Sequence, residues 1–269
     1  MKRWSGLCRL LAAFACAATL AACGGKDSAD ATLGWSPEKL YAEGKDEIRS
    51  GRYDDAIKLF EKLEARYPFG RWAQQAQIET AYAHYKQSER VQALAATDRF
   101  LKLYPNHPAL DYVYYLRGLI NFNEQQGWLA KLGGQDLAER DLDAAREAFD
   151  AFNVVVTRFP QSKYAPDSEA RMKYLVNAMA SGEVQIARYY YLRNAFIAAT
   201  NRAQNVIRKY PQTPATEEAL YLMMMSYEKL GLLDLRNDTE RVFKRNFPDS
   251  ALPRLGVGRT ERSWWQVWR

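Results

Sequence analysis

The sequence predicts an all-α, right-handed solenoid of about five helix-turn-helix repeats behind an N-terminal export segment. Three observations predict it. First, five stretches close on a long or basic residue, an aromatic and a proline: Arg66-Tyr67-Pro68, Leu103-Tyr104-Pro105, Arg158-Phe159-Pro160, Lys209-Tyr210-Pro211 and Asn246-Phe247-Pro248. Second, small and aromatic residues recur at helical spacing between these closures. Third, the composition (48% apolar, 26% charged) is that of a globular chain, and ten prolines punctuate short helices rather than forbid them.

Residues 1–22 read as a signal peptide. Met1-Lys2-Arg3 is a basic start, and Leu10 to Ala22 is an apolar run too short to span a bilayer. The run ends Leu20-Ala21-Ala22-Cys23-Gly24, which resembles a bacterial lipobox. The resemblance implies cleavage before Cys23, an S-diacylglyceryl thioether on its sulfur and an acyl chain on its new amine. Three acyl chains exceed the two signals that stable anchoring needs. Gly24, where an Asp would favour retention in the inner membrane, is consistent with sorting to the outer membrane. Ordinary secretion with cleavage near Ala22 is the alternative. Residues 23–36 are mostly small and polar, and read as a lipidated flexible tether. Cys8 and Cys16 fall in the removed segment, so disulfide, redox and metal-thiolate chemistry are excluded by counting. Removing Lys2, Arg3 and Arg9 with that segment lowers the net charge from +6 to +3, too small an excess to argue for nucleic acid.

The first repeat spans residues 37–69. Leu40, Gly44, Gly51, Tyr53, Ala56, Phe60, Leu63 and Pro68 match the tetratricopeptide helix-turn-helix pattern, with Glu47 where an aromatic is usual. Small residues at 44 and 56 let two helices approach closely. A shift of 37 carries Ala56 onto Ala93 and Pro68 onto Pro105, defining a second repeat over 70–106. A third, 107–161, places Ala148 and Phe152 on the same pattern, and a fourth, 181–212, places Asn194 where Gly51 stood, the residue best able to replace glycine at a positive φ. A fifth covers 213–249. The proline-to-proline gaps are 37, 55, 51 and 37. The long gaps predict a glycine-containing loop over Gln126–Arg140 inside the third repeat and an extra helix over 166–180 ahead of the fourth. Residues 251–269 form a Trp-rich tail (Trp264, Trp265, Trp268) that suits a membrane interface or a partner's groove, or equally an end that is disordered or folded back.

No catalytic or metal-binding constellation is legible. His84 and His107 have no partner at ligand spacing, and surface or capping roles account for them. Asp54-Asp55 and Glu217-Glu218 stand in first helical turns, where negative charge suits the helix dipole. Met223-Met224-Met225 point in three directions, core and rim, rather than forming one adaptable surface.

Beyond the repeat positions, the chain resembles the BamD family, lipoproteins of the outer-membrane β-barrel assembly machine. The resemblance covers about residues 35–250 and is carried by Arg66-Tyr67-Pro68-Phe69-Gly70, Asp98-Arg99-Phe100, Asp111-Tyr112-Val113, Arg117-Gly118-Leu119, Tyr189-Tyr190, Asn201-Arg202 and Tyr210-Pro211. It implies a non-enzymatic scaffold on the periplasmic face of the outer membrane, without cofactor. The partners it implies are a BamA-like barrel protein with its POTRA domain, accessory lipoproteins of the complex, and unfolded outer-membrane proteins. By the resemblance, Arg202 with Asn201 and Arg193 faces BamA, and Tyr67, Phe69 and Arg66 receive the substrate's β-signal. For Tyr67, helix-end packing stands beside the groove role. A tetratricopeptide adaptor for pilus secretin assembly or cell-wall enzymes is the alternative function.

Overall fold

A computed structural model of the chain describes residues 30–122 and 142–257. Eleven helices lie in that range. They are α1 (Pro37–Arg49), α2 (Tyr53–Arg66), α3 (Arg71–Lys86), α4 (Arg90–Leu103), α5 (Leu110–Phe122), α6 (Leu142–Arg158), α7 (Ala165–Leu192), α8 (Phe196–Lys209), α9 (Ala215–Lys229), α10 (Leu233–Asn246) and the short α11 (Leu252–Leu255). Consecutive helices pack as five hairpins, α1/α2 to α9/α10, and each hairpin packs on the next. The apolar interior is accordingly a row of small cores. One joins Leu40, Ala56, Phe60, Leu63, Ala73 and Ala76 across α1, α2 and α3, and another joins Ala180, Val184, Ala187, Ala203, Val206, Ala219 and Leu222 across α7, α8 and α9. Each unit shares its core only with its neighbours, as a solenoid requires.

The turns inside the hairpins repeat one device. Gly51, Ser88, Asn194 and Gly231 adopt φ of +74°, +64°, +60° and +71°, the left-handed region. The following N–H reaches back to the carbonyl five residues earlier: Arg52 to Glu47, Glu89 to His84, Ala195 to Tyr190 and Leu232 to Tyr227, at 2.9–3.0 Å. This closes the last turn of each first helix with a six-to-one bond. Asn194 takes the glycine's place as its chemistry predicts, and Ser88 takes it without such a preference. The second helices end where Tyr67, Tyr104, Tyr210 and Phe247, each preceding a proline, leave the helical region at φ near −130°.

Close approach of the two helices is set by side-chain volume. A Cβ on Gly44 would stand 2.5 Å from the Phe60 ring, and one on Gly118 would stand 2.4 Å from the Phe152 ring. At the equivalent positions of the second and fourth hairpins the combinations are Ala81 with Thr97 and Ala187 with Ala203, all buried. Large rings thus occur opposite glycine, and small residues opposite alanine.

Three expectations meet the structure differently. The predicted extra helix over 166–180 is not a separate element: α7 runs unbroken for 28 residues as the first helix of the fourth hairpin. Ser181-Gly182 does not interrupt it, because Gly182 is buried and helical rather than a turn residue. The tether is shorter than 23–36, since residues 30–36 are folded onto the first hairpin. The tail, expected from residue 251, begins with α11, and Val257 packs on the last two hairpins. Cys23, the Gln126–Arg140 loop and Trp264, Trp265 and Trp268 lie outside the described residues. Met224 is buried while Met223 and Met225 are half-buried.

Candidate functional site

The first helices of successive hairpins touch (α1 with α3, α3 with α5, α7 with α9), whereas no pair of second helices is in comparable contact among the described residues. The first helices therefore line the inner face. Over the first three hairpins that face is built largely from tyrosine. The Tyr41 hydroxyl donates to Glu79 Oε1 at 3.2 Å, and Lys45 Nζ donates to the same oxygen at 2.6 Å. Tyr82 and Tyr85 stand one helical turn apart on α3, with ring centroids 6.4 Å apart. Tyr112 and Tyr115 repeat that spacing on α5 and both meet Tyr164, Tyr115 stacked on it at 4.8 Å and Tyr112 tilted at 5.4 Å. The Tyr115 hydroxyl donates to Asp167 Oδ2 at 2.8 Å, and Arg171 Nε donates to the same carboxylate at 2.6 Å. Burial, first, and then the neighbouring Glu79 push the Tyr41 and Tyr112 phenols far above their ordinary value. Burial and Asp167 push Tyr115 up to about 12. These phenols are neutral at any physiological pH, and they present ring faces beside polar edges to whatever lies along the face.

The residues that the resemblance assigned to a substrate signal do not share one role. The Arg66 guanidinium bonds the Asp30 carboxylate and the Thr32 carbonyl, the latter at 2.6 Å, and Lys62 Nζ donates to Asp30 at 2.8 Å. The Tyr67 hydroxyl donates to the Trp35 carbonyl at 2.9 Å. Arg66 and Tyr67 together hold residues 30–35 as a strap across the end of α2, so Tyr67 packs at a helix end. Phe69 alone of the three is free, 90% exposed. Hydrogen bonds from Lys62, and then from the Thr32 side chain and backbone, hold the Asp30 carboxyl far below the usual carboxylate range. A depressed carboxyl contributes stability that is fully present above its unfolded value near pH 4 and is lost as pH falls through the folded value. The strap is therefore expected to stay closed from neutral pH down to about pH 4. In Asp30→Asn, the backbone amides of Thr32, Leu33 and Trp35 are expected to exchange several-fold faster at neutral pH, read by hydrogen exchange.

The three residues assigned to the barrel partner are also not one cluster. Arg202 on α8 donates to Glu183 Oε2 of α7 at 3.1 Å, and that carboxylate is buried. Arg193 lies ten residues further along α7, about 15 Å away, where it caps the helix and lies 5.4 Å from the Tyr189 ring. Asn201 is exposed. Around Arg193 the surface is apolar, for Tyr189, Leu192 and Ile197 are all more than half exposed. Because α7 and α9 touch, the next hairpin turn lies beside this one, and it exposes Leu232, Leu233 and Leu235. Both turns thus carry exposed apolar side chains that the repeat pattern did not single out. The available signal was Gly231-Leu232-Leu233 standing where the first turn has Gly51-Arg52-Tyr53.

His107 and His84 are absorbed by local structure. His107 Nδ1 accepts the Ala109 N–H at 3.1 Å, its ring lies edge-on to Phe100, and burial lowers its pKa. His84 pairs with Glu89 at 2.6 Å. Among the described residues no group of three or more His, Cys, Asp or Glu is placed to hold a metal ion, and no helix is long and apolar enough to cross a membrane.

Comparison with known proteins places these surfaces in a family. Residues 35–242 match the family described as YfiO, outer membrane lipoprotein. An outer membrane protein assembly factor BamD from Neisseria meningitidis serogroup B is 50% identical over 240 residues, covering 89% of this chain and 90% of the relative. The protein of the same description from Neisseria gonorrhoeae is 47% identical over 253 residues, covering 93% and 95%. That from Vibrio cholerae is 34% identical over 242 residues, covering 90% and 97%.

Proposed function

The chain belongs to the BamD (YfiO) family of outer-membrane lipoproteins and is an assembly factor of the outer membrane, not an enzyme; from that premise we propose how it divides its labour. The apolar edge of the fourth and fifth hairpins docks the POTRA domain of a BamA-like barrel protein. The tyrosine-lined inner face of the first three hairpins receives the β-signal of an unfolded outer-membrane protein. Cys23, carrying S-diacylglycerol and an N-acyl chain, anchors the chain at the periplasmic face of the membrane.

The observation that carries the reading is the exposure of Tyr189, Leu192 and Ile197 beside Arg193, whose guanidinium lies against the Tyr189 ring, and of Leu232 and Leu233 on the next hairpin turn. Aromatic and apolar anchors beside an arginine are the composition of a stable interface centre. The inner face has a different character. A β-signal is short, extended and ends in an aromatic with a carboxylate, and the half-buried tyrosines offer it ring faces without a deep pocket, the Tyr41 and Tyr115 hydroxyls being already bonded to Glu79 and Asp167. Binding of that kind is weak, which suits handover to a second protein. The inner face takes over the role first given to Arg66 and Tyr67, whose polar groups are occupied by the strap.

Co-purification from mild detergent, with an affinity tag on the C-terminus, tests the assignment. Leu192→Asp combined with Ile197→Asp is expected to reduce recovery of a stoichiometric barrel protein by about tenfold or more, as loss of a central anchor does. Tyr82→Ala combined with Tyr112→Ala is expected to leave that recovery intact and to reduce crosslinking to a β-signal peptide. Loss of the barrel protein in the tyrosine variant, with none in the edge variant, would reverse the assignment.

A further inference from the structure

We propose that the edge made by the N-terminal strap and the α2–α3 link rests on the phospholipid surface that holds Cys23, with Leu33 and Phe69 entering the lipid and Trp35 and Trp72 at its polar boundary. The inference rests on the lipid anchor at Cys23.

Two exposed apolar side chains mark this edge. Leu33 is 70% exposed and Phe69 90%. They project from two backbone segments pinned side by side, since Arg66 bonds Thr32 and Tyr67 bonds Trp35. Each flanking indole carries a cation: Lys39 Nζ is 4.2 Å from the Trp35 ring, and the Arg71 guanidinium is 4.5 Å from the Trp72 ring. Trp72 Nε1 also donates to Glu38 at 2.6 Å, so its polar end is satisfied at the surface. Exposed aliphatic and phenyl groups, two and three residues from half-buried indoles that rest on the first core with a cation over each, match the layering of a membrane interface, from acyl chains through the interfacial zone to headgroups.

Position in the repeat supports the reading. The residue after each aromatic-proline closure is Phe69, Asn106, Gln161, Gln212 or Asp249. The solenoid therefore exposes a phenyl ring at this point only in the unit next to the anchor, and polar residues in the other four. The leash is also short. Cys23 and Asp30 are seven Cα steps apart, a reach of about 25 Å when fully extended, whereas fourteen steps and about 50 Å would lie between Cys23 and Pro37 without the strap. The strap keeps this edge within a short distance of the bilayer and limits how far the first hairpin turns away from it.

Cys8 and Cys16 lie in the removed segment and Cys23 is acylated, so a cysteine introduced into the mature chain is its one free thiol. Bimane is attached to Phe69→Cys, to Leu33→Cys and to Val91→Cys, the last being 78% exposed at the opposite edge of the solenoid. The lipidated full-length mature protein is reconstituted in vesicles of phosphatidylethanolamine and phosphatidylglycerol with brominated acyl chains. Bimane at positions 33 and 69 is expected to be quenched about twofold more than at position 91. A protein that floats with the vesicles and is quenched equally at all three positions overturns the proposed contact and leaves the anchor standing. A protein that does not float overturns the anchor, and with it this proposal.

Discussion

Gly118→Ala is expected to destabilise the protein, although alanine is the better helix former. Replacing glycine by alanine inside a helix stabilises by about 1 kcal/mol through backbone entropy alone. At this position the new methyl would lie 2.4, 2.6 and 2.8 Å from three carbons of the Phe152 ring, and that ring is fully buried. It cannot swing into solvent, so either α5 and α6 separate or the ring leaves its rotamer. Overpacking of a filled core costs roughly 1–3 kcal/mol, and three contacts this short put the change at or above the upper end. The net expectation is a loss of about 2 kcal/mol, which in a chain of this size lowers the unfolding temperature by several degrees. Calorimetry checks the sign, and the double variant Gly118→Ala with Phe152→Leu is expected to recover part of the loss. If Gly118→Ala is neutral or stabilising, the complementary-volume account of the hairpins is wrong. The site would register the change as well, because α5 carries Tyr112 and Tyr115 of the inner face.

Arg202→Met is expected to cost about 2 kcal/mol of stability before any partner is considered. Removing one member of a buried ion pair strands the other charge, a loss of roughly 3–5 kcal/mol when both are buried. Here the Glu183 side chain is 7% exposed but that of Arg202 is 41%, so solvent screens part of the interaction and the figure is lowered accordingly. Adding Glu183→Gln to Arg202→Met removes the stranded charge and is expected to restore most of the loss, as a double-mutant cycle by denaturant unfolding would show. A weaker barrel-protein interaction in an Arg202 variant therefore reports on folding first and on contact second, whereas Leu192 and Ile197 are exposed and report on contact. Full stability in Arg202→Met with reduced co-purification would identify Arg202 as a contact residue instead.

Much of the fold was legible because its determinants are local and repeated. A proline removes an N–H and pushes the residue before it out of the helix, so five aromatic-proline closures mark the ends of five second helices. Glycine at 51 and 231 and asparagine at 194 announce a left-handed turn residue. Serine at 88 takes the same conformation without announcing it, because serine has no marked preference for positive φ and the surrounding hairpin imposes it. The boundary expected between the extra helix ending at residue 180 and the repeat starting at 181 shows the converse, for α7 runs straight through it with Gly182 buried inside the helix.

The site was less legible for the same physical reason. A side chain's type states what it can bond, and the sequence alone was enough to predict a helical repeat lipoprotein without a catalytic constellation, with tyrosine and arginine to spare for recognition. It could not state which of those groups the fold would consume. Arg66 is taken by Asp30, 36 residues away, Arg202 by Glu183 at 19, and Tyr41 by Glu79 at 38. No periodicity links such partners, since each pair is created when two helices, or the strap and a helix, come together. The tertiary structure alone decided that the strap closes over α2, that Arg66 and Arg202 hold the chain to itself, and that Phe69, Leu192 and Ile197 remain uncovered for something else.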